Sequence, residues 1–92
     1  MKQQSKKDMA LVNFKKAQSH ISKVIEMLEG GKYCIDVMQQ NLAVVGLLKS
    51  AHQLLMENHL SSCFLSAMSA GSQAKKNKMI DEILKVTKLS NK

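Results

Sequence analysis

Apolar residues recur at helical spacing in three successive stretches of this chain, and short polar or glycine-containing breaks separate them. The pattern predicts helices over about residues 5–29, 32–70 and 74–89. The chain contains no proline, and the longest stretch has a single glycine, Gly46. The predicted fold class is therefore all-α, with three helices: a long helical hairpin and a short third helix.

Capping and turn residues mark the ends of these predicted helices. Ser5 followed by Asp8 resembles a capping box and opens the first helix. Gly30–Gly31 ends this helix, and Ala70-Gly71-Ser72 ends the second. The short connection makes the first two helices an antiparallel hairpin. The apolar stripes consist of Leu11, Phe14, Ile21, Val24 and Leu28 in the first helix, of Ile35, Met38, Leu42, Val45 and Leu48, widened by Val44, Leu47, Ala51 and Leu55, in the second, and of Ile80, Ile83, Leu84 and Val86 in the third.

The second predicted helix carries both cysteines of the chain and two of its three histidines. His59 and Cys63 are four residues apart and share one helix face. Cys34 lies 25 residues before His59, roughly 37 Å away on a continuous helix. Two antiparallel copies would bring Cys34 of one beside the His59/Cys63 pair of the other, with Gly46 near the two-fold centre. The alternative is that both cysteines are small buried hydrophobes, and the spacing alone leaves both interpretations open.

Length and charge narrow the class of protein. A chain of 92 residues allows one domain, residues 1–92, with a limited core, so its long apolar stripes predict a homo-oligomer. The net charge of +7 comes from lysine alone, since no arginine occurs, and it favours binding to a polyanion. No signal peptide and no run of 18 apolar residues is found. We therefore expect a cytoplasmic protein without membrane contact, whose cysteines are thiols or metal ligands.

A specific motif surrounds the cysteines. It consists of Tyr33-Cys34-Ile35-Asp36-Val37, then Gln40, Ala43-Val44, and His59-Leu60 with Cys63. This motif resembles the CsoR/RcnR family of metal-sensing transcriptional repressors, and the similarity covers about residues 15–70. The resemblance implies an antiparallel four-helix-bundle dimer, or a tetramer formed from two such dimers, without a helix-turn-helix. It further implies a repressor that binds double-stranded operator DNA in its metal-free form and releases the DNA when metal binds.

The resemblance also implies an inducer. Cys34, His59 and Cys63 match the copper-responsive branch, and two thiolates with one imidazole form a soft donor set that suits Cu(I). Tyr33 and Glu82 resemble residues that link this site to the third helix. Zn(II) would want a fourth ligand and Ni(II) more nitrogen or oxygen donors, so repressors responsive to these metals are alternatives. A persulfide-responsive repressor is another alternative. An enzyme is not expected, because no third group orients His59 as a base.

The first helix departs from the family pattern. Lys16-Ala17-Gln18-Ser19-His20 occupies the usual R-I-E-G-Q stretch, and Asn13 aligns with an arginine that members use on DNA. We expect Lys15, Lys16 and, on the second helix, Lys49 to contact DNA phosphates. His20 is expected to be a polar residue near the hairpin interface, and the alternative is an additional ligand that would suit nickel.

Overall fold

The computed structural model describes residues 5–90, apart from the side chains of Cys63 and Ser90. Every regular element in this range is helical, which confirms the predicted all-α class. The elements in chain order are α1 (Lys6–Glu29), α2 (Cys34–Asn58), a π-helical segment (His59–Phe64), α3 (Leu65–Ala70) and α4 (Gln73–Ser90). None of the helices within residues 5–90 has the length and apolarity that a membrane span requires.

The second predicted helix, over about residues 32–70, begins at Cys34 and is not α-helical along its whole length. Over residues 34–70 the chain is α-helical up to Asn58, π-helical from His59 to Phe64 and α-helical again to Ala70. Backbone hydrogen bonds of a π-helix join residues five apart instead of four. An apolar stripe could not reveal this change, because it is the hydrogen-bond register of a few residues and not their hydrophobicity that differs.

The ends of the helices form as the local signals predict. The Oγ atom of Ser5 accepts a hydrogen bond from the backbone N–H of Asp8 at 3.0 Å. After α1 the chain reverses at Gly31, whose φ of 68° lies in the left-handed region that glycine favours. The N–H of Gly71 donates to the Ala67 carbonyl at 2.7 Å, and a Cβ at Gly71 would lie only 2.5 Å from that oxygen. A glycine is therefore required where α3 ends.

The chain divides after Asn58 into two compact units. The first unit contains the antiparallel hairpin of α1 and α2. The second contains the π-helical segment, α3 and α4, in which α3 packs against both of the other elements. The single domain proposed for residues 1–92 stays a prediction.

The hairpin packs along two rows of residues spaced alternately three and four apart, which is the heptad spacing of coiled coils. We call these rows the hairpin seam. Its alanines Ala10, Ala17 and Ala51 are exposed by 1%, 1% and 0%. Small side chains allow the two helix backbones to approach closely. The seam consists of Ala10, Asn13, Ala17, His20, Val24 and Met27 of α1 with Val37, Gln40, Val44, Leu47, Ala51, Leu54 and Asn58 of α2.

Most of the large apolar residues lie outside this seam. Leu11 and Leu28 of α1 are 51% and 66% exposed, and Met38 and Leu42 of α2 are 55% and 65% exposed. Among the described residues, the buried apolar side chains are only three alanines and Val44. The hairpin thus leaves most of its predicted apolar stripes accessible, and exposed apolar surface is typical of association sites.

Candidate metal centre and DNA-binding surface

Cys34 is the first residue of α2, and its free thiol is exposed to solvent. The preceding residue, Tyr33, supports this helix start, because its carbonyl accepts hydrogen bonds from the N–H groups of Asp36 and Val37 at 3.0 and 3.2 Å. The Tyr33 side chain is 70% exposed. Both side chains are therefore accessible to another molecule.

His59 and Cys63, the other two candidate ligands, lie together in the π-helical segment. His59 is half-buried, whereas the side chain of Cys63 lies outside the description. Single π-helical turns occur mostly as local departures from α-helices, often at functional sites. The departure from α-helical geometry therefore coincides with the segment in which the sequence places two ligands.

The length of α2 separates the first candidate ligand from the other two along the chain. Cys34 and Asn58 are the two ends of this 25-residue helix, which at 1.5 Å per residue places them about 36 Å apart. His59 directly follows Asn58. Among the described side chains, of which Cys63 is not one, no three His, Cys, Asp or Glu groups come together as a metal site. Glu82, the predicted supporting carboxylate, is exposed on α4.

His20 is a half-buried member of the hairpin seam. Its Nε2 atom lies 2.7 Å from the Oε1 atom of Gln40 on α2. Because an amide oxygen only accepts hydrogen bonds, the imidazole donates through Nε2–H. The predicted position of His20 at the hairpin interface is confirmed, and a ligand role for it stays a prediction.

Asn13, the residue that replaces a family arginine, also belongs to the seam. Its Nδ2 atom donates to the Oγ atom of Ser50 at 3.0 Å, so the amide is engaged between the helices. The predicted phosphate contacts Lys15 and Lys16 on α1 and Lys49 on α2 are all exposed. The three lysines are therefore accessible to DNA, while the Asn13 amide is engaged in a hydrogen bond between the two helices.

An ion pair between the two helices was not predicted from the sequence. The Nζ atom of Lys6 lies 2.9 Å from the Oε2 atom of Glu57, and Gln53 donates to the same carboxylate at 3.3 Å. The hydrogen bonds from Lys6 and Gln53 hold the pKa of the Glu57 carboxyl below its ordinary value. One signal in the sequence places Lys6 on the side of α1 that faces α2. Lys6, Asn13 and His20 are spaced by seven residues, which is the spacing of one helix row.

The chain is similar to known repressors over most of its length. Residues 6–88 match the family described as metal-sensitive transcriptional repressor. The copper-sensing transcriptional repressor CsoR of Mycobacterium ulcerans is 40% identical over 79 residues, which are 85% of this chain and 68% of that protein. The copper-sensing repressor RicR of Mycobacterium tuberculosis is 29% identical over 83 residues, 90% of this chain and 86% of that protein. The CsoR of Bacillus subtilis is 28% identical over 87 residues, 95% of this chain and 83% of that protein.

The family match includes residues of both compact units. The family match extends from the first residue of α1 into the last turns of α4. The chain therefore belongs to the metal-sensitive transcriptional repressor family.

Proposed function

We propose that this protein is a Cu(I)-responsive transcriptional repressor, which binds operator DNA without metal and releases it when Cu(I) binds. Its relatives in Mycobacterium and Bacillus are named for copper sensing. The chain offers a matching donor set, two thiols and one imidazole at Cys34, Cys63 and His59, and soft thiolate ligands select Cu(I). Its role is regulatory and not enzymatic, and it acts in the cytoplasm, where its operator lies.

Each metal site is formed by two copies of the chain. The observation that carries this assignment is the unbroken α-helical run of α2, which puts Cys34 about 36 Å from Asn58, the neighbour of His59. Cys34 of one subunit and His59 with Cys63 of another supply the three ligands. A closed two-fold arrangement then gives two equivalent sites in each dimer.

Association of the hairpins as an antiparallel four-helix bundle, and of two such dimers as a tetramer, is part of the same proposal. The exposed apolar residues of α1 and α2 support it, because a bundle would bury side chains such as Leu28 and Leu42. Gly46 on α2 supports it as well. Apart from the backbone of its own helix and its two chain neighbours, no atom of the described chain lies within 4 Å of a Cβ placed at this glycine, so the space is open to a second copy.

Tyr33 and Glu82 are proposed to support the metal site. A carboxylate or phenol that hydrogen bonds to a ligating imidazole fixes its orientation and carries the effect of metal to a neighbouring element. Glu82 lies on α4, so it would tie the occupied site to the last helix of the chain. Lys15, Lys16 and Lys49 are proposed to bind the phosphates of double-stranded DNA.

Mixed dimers test the intersubunit site. Chains carrying Cys34→Ser are combined with chains carrying His59→Ala and Cys63→Ser, and Cu(I) affinity is measured anaerobically against a Cu(I) chelator. We expect one wild-type-like site in each mixed dimer and none in either variant alone. If the mixed dimer lacks a site of wild-type affinity, the ligands do not come from two subunits.

The identity of the inducer is tested by titrating the reduced protein with Cu(I), Ni(II) and Zn(II) in parallel. DNA release is followed on a duplex selected from a random library by the metal-free protein. We expect Cu(I) to release this duplex at the lowest free concentration. Release by Ni(II) or Zn(II) at lower free concentrations, or by a sulfane-sulfur donor without metal, would instead identify a nickel-, zinc- or persulfide-responsive repressor.

A further inference from the structure

An ion pair joins the two ends of the hairpin that lie farthest from its turn. Lys6 is the first residue of α1, and Glu57 is the last but one of α2. Their side chains are 50% and 39% exposed, and Gln53 contributes a further hydrogen bond to the carboxylate. Within residues 5–90 this is the one ion pair between lysine and carboxylate side chains, although the chain contains 14 lysines.

Within residues 5–90, the charged partner of Glu57 lies on the other helix of the hairpin. The last turn of α2 contains no basic residue that would compensate for the Glu57 carboxylate. Lys6 stands at the N-terminus of α1, which repels a cation. The ion pair is therefore a specific link between α1 and the end of α2.

Each member of the pair is connected along the chain to one functional part of the protein. Glu57 precedes the proposed ligand His59 by two residues, at the point where α2 passes into the π-helical segment. Lys6 begins the helix that carries Lys15 and Lys16. A change in the hydrogen-bond register of the π-helical segment rotates the residues next to it, because the π-helix and the α-helix differ in repeat. Glu57 is among the first residues that such a rotation reaches.

We propose that Lys6 and Glu57 are a positioning pair that transmits occupation of the metal site to the DNA-binding helix α1. The inference rests on the proposed function and adds a route of regulation to it. Metal binding at His59 alters the end of α2, and this changes the strength of the ion pair between Glu57 and Lys6. As a result, α1 shifts together with its lysines. The pair carries coupling only if its free energy differs between the DNA-binding and metal-bound states.

The test measures a ratio, the coupling factor, which is the DNA dissociation constant of the Cu(I)-loaded protein divided by that of the metal-free protein. Glu57→Gln removes the charge and keeps the shape, and Lys6→Met removes the other charge. Lys7→Met is the matched control, because Lys7 is the exposed neighbour of Lys6 and has no ion-pair partner within residues 5–90. The double variant Lys6→Glu/Glu57→Lys reverses the pair. Cu(I) affinity and the thermal unfolding midpoint are recorded for every variant.

We expect Glu57→Gln and Lys6→Met each to reduce the coupling factor by about two- to fivefold, the range expected of a partly exposed ion pair. Cu(I) affinity should stay within about twofold of wild type. Lys7→Met should weaken DNA binding equally in both states and leave the ratio unchanged, and charge reversal should restore most of the coupling. A purely structural pair would lower the unfolding midpoint without changing the ratio.

Two outcomes overturn the inference, and they can be told apart. If the wild-type protein couples Cu(I) to DNA release and all the variants keep its coupling factor, the positioning role is wrong and the proposed function stands. If the wild-type protein shows no coupling at all, the proposed function fails and this inference fails with it.

Discussion

At the scale of single residues, polar contacts inside the hairpin seam are the features that distinguish this chain. Two of the seam positions of α1, where a coiled coil usually has apolar residues, are occupied by Asn13 and His20. Both find a partner on α2, Ser50 at 3.0 Å and Gln40 at 2.7 Å. Satisfied polar groups within a helix interface fix which residues face each other, because a shift in register would leave them unpaired.

The hydrogen bond between His20 and Gln40 should contribute measurably to stability. His20→Leu leaves the Gln40 oxygen without its donor in a half-buried position, and we expect the free energy of unfolding to fall by about 1–3 kcal/mol. His20→Gln retains a donor of suitable length and should change it by less than about 1 kcal/mol. Urea unfolding followed by circular dichroism measures both. Equal stability of the leucine and glutamine variants would show that the bond contributes nothing.

At the scale of elements, the close packing of α1 against α2 depends on alanine. Ala51 is completely buried, whereas Ala43, on the same helix, is exposed. Ala51→Leu inserts three carbon atoms into the seam, and we expect overpacking to lower the free energy of unfolding by about 1–3 kcal/mol. Ala43→Leu is the matched control, since the same change there meets no part of the hairpin.

Thermal and urea unfolding measure the difference in stability between the two leucine variants. If Ala51→Leu lowers the free energy of unfolding no more than Ala43→Leu does, the two helices are not in close contact near Ala51. The control has a second use, because loss of stability in Ala43→Leu alone would place Ala43 in an interface with another chain.

At the scale of the whole molecule, association should depend on Gly46. A Cβ at this position meets nothing within the described chain, so Gly46→Ala should not damage the hairpin and should favour its helix by up to about 1 kcal/mol. Gly46→Phe should keep the helical content and weaken self-association, because the large side chain occupies space that the partner needs. Analytical ultracentrifugation at micromolar concentration measures the oligomer. A wild-type protein that is a folded monomer under these conditions would exclude the proposed dimer.

The charge of the assembled molecule should make DNA binding strongly dependent on salt. Lys15→Ala, Lys16→Ala and Lys49→Ala each remove one proposed phosphate contact from every DNA-bound subunit, and each should reduce the slope of log K against log salt by about 0.9 for each such subunit. The control is Lys85→Ala, an exposed lysine on α4 that is not among the proposed phosphate contacts. Fluorescence anisotropy on the selected duplex between low and physiological ionic strength provides the slopes. Slopes that do not change in the three variants would place the DNA on another surface.

Structural features that depend on contacts within one or two turns of helix could be predicted from the sequence. The cap at Ser5, the reversal at Gly31 and the stop at Gly71 all form as predicted, since each depends on a residue and its immediate neighbours. The all-α class followed from the apolar periodicity for the same reason. The family was also predictable, because the motif around Cys34 is a matter of residue identity and spacing.

Which residues the hairpin buries could not be predicted from the sequence, because burial depends on how the two helices pack. Hydrophobicity points to large residues such as Leu28 and Leu42, yet the seam is built on Ala17 and Ala51. Close approach of two helices depends on the size of the side chains on both of them at once, and the pattern along one helix does not contain this. The ion pair of Lys6 with a residue 51 positions later, and the change to π-helical geometry at the end of α2, depend in the same way on contacts and hydrogen bonds made only in the folded chain.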